Sequence, residues 1–120
     1  MCVGETMTKI LIVEDHEDTA FLIQQLVHYA LDNVEIIIAS TLEDAIPQVE
    51  WADLVISDYR FPTKGFLGLL PILQEKEKPF ILQTAETECA KIYDSNLQIA
   101  AIQKGMNYTC QLIDTLKNIS

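Results

Sequence analysis

The chain alternates between short apolar runs and longer segments with apolar residues at helical spacing, and this alternation limits the possible folds more than any other feature. Five apolar runs predict strands at residues 9–13, 34–39, 54–57, 80–83 and 97–102. The other segments predict helices at residues 18–31, 41–49, 65–76, 85–93 and 108–119. Because the strands lack polar alternation, they are typical of parallel strands covered on both faces. We therefore expect an α/β fold, a doubly wound five-stranded parallel sheet with five helices.

Capping residues and prolines refine the predicted helix ends. Asp18 or Thr19 can cap the first helix, and Thr41 can cap the second. Pro47 and Pro71 fall inside the second and third predicted helices, where a proline removes a backbone hydrogen bond at a cost of roughly 3 kcal/mol. We therefore expect kinks or later starts in these two helices.

Length and charge exclude several classes of protein. A chain of 120 residues fits one domain, which we place at residues 9–120 after a flexible leader at residues 1–8. A net charge of −10 disfavours direct binding to nucleic acid or to an anionic membrane. No apolar run approaches the roughly 20 residues of a membrane span, and the start lacks the pattern of a signal peptide. Three cysteines without metal-type spacing fit a reduced compartment, so we expect a cytoplasmic protein.

Acidic side chains follow two of the predicted strands, at the edge where an open parallel sheet binds its ligands. The polar or small residues at the carboxyl ends of the strands are Glu14, Asp15, Asp58, Thr84, Ala85 and Lys104. Three carboxylates this close repel one another unless a cation lies between them, and oxygen ligands suit Mg²⁺ or Mn²⁺. Asp58 is the best candidate nucleophile, while Lys104 and Thr84 supply a positive charge and a hydroxyl donor for a phosphoryl group.

The segments KILIVEDHED and DLVISDYRFP, the pair Thr84-Ala85 and the apolar strand ending at Lys104 resemble the receiver domains of two-component response regulators. The resemblance extends over about residues 9–119 and implies the flavodoxin-like receiver fold, with phosphorylation on Asp58. It implies Mg²⁺ ligation by Asp15, Asp58 and the backbone carbonyl of Arg60, with Glu14 acting through water. It also implies that Thr84, Ala85 and Lys104 contact the phosphoryl group.

The resemblance further implies a signalling role. A histidine kinase or a phosphotransfer protein would donate the phosphoryl group, and a downstream protein partner would bind near the fourth predicted helix, the fifth strand and the last helix. A homodimer is compatible with this role. Because the sequence stops at Ser120, we expect a stand-alone receiver. It would be a phosphoacceptor switch that catalyses only its own phosphorylation and hydrolysis, and not an enzyme acting on other substrates.

The sequence departs from the receiver pattern at two positions and suggests one device for controlling hydrolysis. Gly105 follows Lys104 where the family usually has proline, and Ala101 stands where an aromatic residue often couples to the threonine. Arg60 and Glu86 lie at positions that flank the path of the hydrolytic water in receivers. An ion pair between them would slow hydrolysis, although two independent surface charges explain them equally well.

Two other functions stay open at this point. A receiver-like binding module that takes no phosphate is compatible with Gly105 and Ala101. A phosphohydrolase with an aspartate nucleophile is disfavoured, because Glu14-Asp15-His16-Glu17 lacks the required Asp-x-Asp pattern after the first strand. Taken singly, each candidate is also explained as a loop acid, a helix cap or a surface lysine, and His16 is better explained as a solvated loop histidine than as a metal ligand.

Overall fold

The computed structural model describes residues 7–61, 65–84, 92–105 and 107–119. The described residues form five strands: β1 (Thr8–Val13), β2 (Val34–Ala39), β3 (Leu54–Asp58), β4 (Phe80–Thr84) and β5 (Gln98–Gln103). They also form four helices: α1 (Glu17–Ala30), α2 (Leu42–Val49), α3 (Phe66–Glu75) and α4 (Tyr108–Ile119). The predicted helix at residues 85–93 falls almost entirely outside the described residues, and Ile92 and Tyr93, which are described, are not helical.

The five strands form one parallel sheet in the order β2-β1-β3-β4-β5. The chain therefore winds outward from β1 in one direction and from β3 in the other, so the strand order reverses between these two strands. In such sheets the ligand site lies at the carboxyl ends of the strands on either side of the reversal. The predicted fold class, a doubly wound parallel sheet, is confirmed.

The core consists of two apolar layers, one on each face of the sheet, because successive side chains of a strand point to opposite faces. Ile10 and Ile12 of β1 pack in the layer that also contains buried residues of α1 and α4. Leu11 and Val13 pack in the opposite layer, with buried residues of α2 and α3. Every residue of β3 and β4 is buried, whereas the edge strands β2 and β5 mix buried and exposed positions. Strands β3 and β4 are thus buried on both faces and begin as apolar runs, as the sequence predicted.

The helix starts agree with the sequence in one case and disagree in another. Thr41 caps α2, since its Oγ1 accepts a hydrogen bond from the backbone N of Asp44 at 3.1 Å, as predicted. The predicted cap at Asp18 or Thr19 is wrong, because α1 already begins at Glu17 and His16 occupies the capping position without a side-chain bond. The carboxylates of Glu17 and Asp18 instead stabilise the positive end of α1 from inside its first turn.

The two prolines lie in the interior of helices that begin well before them. Pro47 and Pro71 led us to expect kinks or later starts. Helix α2 begins at Leu42 and α3 at Phe66, so the later starts are wrong, and the kinks stay a prediction. Both prolines are exposed to solvent. Water can therefore reach the carbonyl groups that a proline leaves without a backbone donor, which lowers the cost of the missing bonds.

Among the helices that the structure describes, none is both long enough and apolar enough to cross a membrane.

Candidate functional site

The carboxyl ends of four strands meet at one edge of the sheet and place the candidate side chains there. Glu14 directly follows β1, Asp58 ends β3, Thr84 ends β4 and Lys104 directly follows β5. Backbone hydrogen bonds continue past the strand ends, from the N of Glu14 to the O of Ala39 at 3.0 Å and from the N of Lys104 to the O of Thr84 at 2.7 Å. The sheet itself therefore sets the positions of Glu14 and Lys104.

Lys104 connects the acids that follow β1 and β3. Its Nζ lies 2.9 Å from Oε1 of Glu14 and 3.1 Å from Oδ1 of Asp58. The side chain of Glu14 is fully buried, that of Asp58 is 10% exposed and that of Lys104 is 23% exposed. The structure thus brings three of the predicted residues into one ion-paired cluster, which is mostly removed from water.

The electrostatics of this cluster follow from burial and from the shared charges. Burial raises the pKa of Asp58 above its ordinary value, and the negative charge of Glu14 adds to the rise, while Lys104 offsets part of it. Burial also opposes the charge of Lys104, but the hydrogen bond to Glu14 and the charges of Asp58 and Glu14 outweigh it and raise the lysine pKa. Lys104 therefore stays protonated, and a further cation near Asp58 would favour the ionised carboxylate.

A more open group of side chains lies beside this cluster. Nδ1 of His16 is 3.3 Å from Oε2 of Glu14 and 3.3 Å from Oδ1 of Asp15. The side chains of His16 and Asp15 are 75% and 29% exposed. One ligand atom from each of these three residues lies within 4.8 Å of the others, so a metal ion can be shared among them. The carboxylate oxygens suit a hard ion such as Mg²⁺, and the exposure of His16 agrees with a solvated loop histidine.

A cavity of about 470 Å³ opens between the two groups. Its lining residues are Asp15, His16, Asp58, Tyr59, Arg60, Phe61, Thr84 and Lys104. Thr84 is buried, whereas Arg60 is exposed. Ala85 and Glu86 fall outside the described residues. Five of the predicted residues thus line one cavity, and Glu14 lies buried beside it.

The turn after β3 holds Asp58 in place through its backbone. The N of Tyr59 donates to Oδ1 of Asp58 at 3.0 Å and to the backbone O of Gln83 at 2.7 Å. The O of Tyr59 accepts from the N of Phe66 at 3.0 Å, which ties the turn to the start of α3. Gly65 makes this closure possible, because its φ is +64° and a Cβ there would lie 2.8 Å from the O of Tyr59.

Comparisons with solved structures connect this geometry to known proteins. The chemotaxis response regulator CheY4 of Vibrio cholerae superimposes with a TM-score of 0.77 at 21% identity, over 96% of this chain and 100% of the regulator. A response regulator receiver domain protein of Bacillus halodurans matches with a TM-score of 0.77 at 18% identity, over 96% of this chain and 98% of that protein. The chain has the fold of response-regulator receiver domains.

The receiver fold also occurs as one part of longer proteins. A mutant of the anti-anti-sigma factor PhyR of Bartonella quintana matches with a TM-score of 0.72 at 21% identity, over 96% of this chain. The chain spans 50% of the PhyR structure. No protein-family model and no curated protein matches the sequence. At these identities the likeness is one of fold alone.

Two buried polar residues of this receiver fold were missed by the sequence reasoning. Gln83 is fully buried on β4, and its Oε1 accepts a hydrogen bond from the hydroxyl of Tyr108, the first residue of α4. A glutamine inside the apolar run FILQT was a usable signal, because a buried amide needs partners. The partner could not be found from the sequence, since it depends on how α4 packs against the sheet.

The positions where the sequence departs from the receiver pattern are also visible. Gly105 is exposed, and a Cβ added there would meet no atom within 4 Å. Ala101 is half-buried on β5. No cis peptide bond occurs among the residues described.

Proposed function

We propose that the chain is a phospho-accepting receiver that takes a phosphoryl group on Asp58 and signals through a protein partner. The observation that carries the proposal is the contact of Lys104 with both Glu14 and Asp58 at 2.9 and 3.1 Å, beside an open cavity. A buried carboxylate next to a fixed cation, with open space in front of it, is the arrangement that accepting a phosphoryl group requires. A purely structural ion pair needs no such cavity.

Each candidate side chain has a place in this reaction. A carboxylate oxygen of Asp58 attacks the phosphorus, the bond from phosphorus to the donor breaks, and the donor leaves with that electron pair. Lys104 neutralises charge on the phosphoryl oxygens, and Thr84 contacts the group from the end of β4. Ala85, which lies outside the described residues, would contact it as well. The lining of the cavity by Asp58, Thr84 and Lys104 supports this assignment.

The acids fit a divalent cation. Asp15, Asp58 and the backbone carbonyl of Arg60 would hold Mg²⁺, or Mn²⁺ in its place, and Glu14 would act through water. When bound, the ion neutralises charge that develops during phosphoryl transfer. The fit rests on the oxygen donor set and on the pKa of Asp58, which burial raises and the negative charge of Glu14 raises further.

The partners follow from the chemistry of the site. A histidine kinase or a phosphotransfer protein would present a phosphohistidine to the cavity, and a downstream protein would bind the phosphorylated form. For this role the chain works in the cytoplasm as a switch that turns over only its own phosphoryl group. A phosphorylation-driven homodimer would show as a doubled mass in sedimentation of the phosphorylated form.

Intact mass after incubation with acetyl phosphate, with and without Mg²⁺, tests the proposal. We expect an adduct of one phosphoryl group that requires Mg²⁺ and disappears in Asp58→Asn. Asp114→Asn makes the same change at an exposed position on α4 and should keep the adduct. If neither acetyl phosphate nor candidate kinases modify the wild type, the chain is a receiver-like binding module that takes no phosphate.

We also propose that Arg60 and Glu86 control hydrolysis of the phosphorylated form. Arg60 is exposed and lines the cavity, where a long side chain can obstruct an incoming water. Glu86 would pair with it across the site. The half-life of the adduct in Arg60→Ala, Glu86→Ala and the double variant tests this role. Faster dephosphorylation is expected in each, and an unchanged half-life in the double variant contradicts the proposal.

A further inference from the structure

Gln83 and Asp58 are neighbours on the same face of the sheet. Ile56 of β3 pairs with Ile81 of β4, and both pack in the layer beneath α1 and α4. Two residues further along, Asp58 pairs with Gln83, so these two side chains point to that same face. Because neighbouring strands lie about 4.8 Å apart, the two side chains leave the sheet side by side.

The amide of Gln83 is only half satisfied. Its Oε1 accepts the hydroxyl proton of Tyr108, but among the described residues its Nε2 has no hydrogen-bond partner although it is fully buried. A buried donor without an acceptor loses its hydrogen bonds to water and gains none in exchange, so it destabilises the fold. Such a group on the strand next to Asp58 therefore calls for a functional explanation.

The amide of Gln83 can take two orientations, related by a half-turn about its terminal bond. In the first, the Tyr108 hydroxyl donates to Oε1 of Gln83 and the Nε2 hydrogens stay without an acceptor. In the second, the amide is rotated, Nε2 donates to the tyrosine oxygen, and the hydroxyl proton is released to another acceptor. Each arrangement satisfies one end of the amide and leaves the other end without a partner.

The charge at Asp58 can choose between the two arrangements. Tyr108 is 6% exposed, and burial together with the charges of Glu14 and Asp58 raises the pKa of its hydroxyl, which therefore stays a proton donor. More negative charge at Asp58 favours the second arrangement, because there the Tyr108 hydroxyl is released to donate to another acceptor. Phosphorylation supplies that charge.

Tyr108 also connects the site to α4. It is the first residue of the helix, and Leu112 and Leu116 anchor the same face one and two turns later, where both are fully buried. The first turn is closed by a bond from the N of Gln111 to the O of Asn107 at 3.0 Å and one from the N of Tyr108 to the O of Gly105 at 3.2 Å. A change in the bonding of Tyr108 therefore acts first on these bonds.

We propose that Gln83 and Tyr108 form a two-state hydrogen-bonded link that senses the charge on Asp58 and transmits it to the first turn of α4. The proposal rests on the proposed phosphorylation of Asp58. The two residues are positioning residues, and neither lines the cavity. Through these two buried side chains, the site is connected to a helix on the surface of the protein.

Amide hydrogen exchange of residues 107–119, with and without acetyl phosphate and Mg²⁺, tests the link, while intact mass gives the adduct fraction in the same samples. In the wild type we expect phosphorylation to change exchange in the first turn of α4 by about fivefold or more. Tyr108→Phe and Gln83→Leu should still form the adduct and respond by less than about twofold. The double variant, an apolar pair with no orphaned group, keeps the test usable if Tyr108→Phe folds poorly.

Tyr29→Phe is the matched control, because it removes a hydroxyl from a tyrosine that is 72% exposed on α1. In this variant, phosphorylation should change amide exchange in the first turn of α4 as much as in the wild type. An adduct in the wild type without a response in α4, or the full response in both Gln83→Leu and the double variant, overturns the link and leaves the phosphorylation proposal standing. Absence of any adduct in the wild type instead removes the proposed function, and the link with it.

Discussion

The candidate site has two halves that differ in burial and in partners. The inner half consists of Glu14, Asp58 and Lys104, whose side chains are at most 23% exposed and bind one another. The outer half consists of Asp15, His16 and Arg60, which are open to the cavity and to solvent. The adjacent acids Glu14 and Asp15 therefore fall into different environments. Ion pairs hold the inner half together, whereas the outer half faces the cavity through which we propose that a cation and a phosphoryl donor reach Asp58.

The largest expected effect follows from removing the cation of the inner half. Lys104→Met leaves Glu14 and Asp58 as neighbouring buried carboxylates and should lower the free energy of unfolding by about 3 kcal/mol. Lys76→Met is the matched control, because Lys76 pairs with Glu50 at 3.2 Å at an exposed site, and it should cost less than about 1 kcal/mol. Urea denaturation measures both variants. Equal costs would show that the inner half is no more than another surface ion pair.

The next effect concerns the turn that holds Asp58 in the inner half. Gly65→Ala places a Cβ 2.8 Å from the O of Tyr59 in a backbone conformation with φ of +64°, so it should destabilise by about 2 kcal/mol. Gly105→Ala meets no atom within 4 Å and should change stability by less than about 1 kcal/mol. Thermal unfolding of both variants checks this difference. A neutral Gly65→Ala would mean that the turn can open without cost.

In the outer half, we expect a substitution to weaken Mg²⁺ binding while it leaves the free energy of unfolding almost unchanged. Asp15→Asn should weaken Mg²⁺ binding by about tenfold or more, since it removes a charged oxygen ligand, yet change the free energy of unfolding by less than about 0.5 kcal/mol. Asp18→Asn, on the exposed side of the first turn of α1, should leave Mg²⁺ affinity within about twofold. Calorimetric titration with Mg²⁺ measures both. Equal losses in the two variants would reduce the role of Asp15 to general surface charge.

The smallest expected effect is on the pH dependence of stability, and it concerns Asp94, which lies far from both halves of the site. Its Oδ2 accepts from Nε2 of Gln74 at 3.1 Å, and its Oδ1 accepts from the backbone N of Asn96 and of Leu97 at 2.9 and 3.0 Å. The bond from Gln74, followed by the two backbone bonds, lowers the pKa of Asp94 below 3.8. Because the folded pKa is the lower one, its contribution is present above pH 3.8 and is lost as the pH falls through the folded pKa.

The stability difference between wild type and Asp94→Ala should therefore stay constant from about pH 7 to about pH 5 and shrink below about pH 4. The midpoints of urea denaturation at these pH values measure this stability difference. A difference that grows toward acid pH would contradict the direction of the pKa shift.

Some of this structure followed from the sequence because local patterns determine it. The apolar runs of β3 and β4 fixed a parallel sheet covered on both faces, and the strand ends then placed Asp58 and Thr84 at one edge. The cap at Thr41 followed from side-chain chemistry within one turn. The sequence could not reveal the link between Gln83 and Tyr108, because it depends on strand register and on the packing of α4. The predicted start of α1 was wrong, because His16 makes no side-chain cap and the charge of Glu17 stabilises the helix end instead.

The most direct measurement is to locate the phosphoryl group. Borohydride reduces an acyl phosphate to an alcohol, so treatment after acetyl phosphate and Mg²⁺ converts the modified aspartate to homoserine, and peptide mapping finds it. We expect homoserine at residue 58 alone, in an amount that falls when Mg²⁺ is withheld. Homoserine at residue 15, or none at residue 58 after intact mass has shown an adduct, would contradict the assignment of Asp58 as the phosphoacceptor of the inner half.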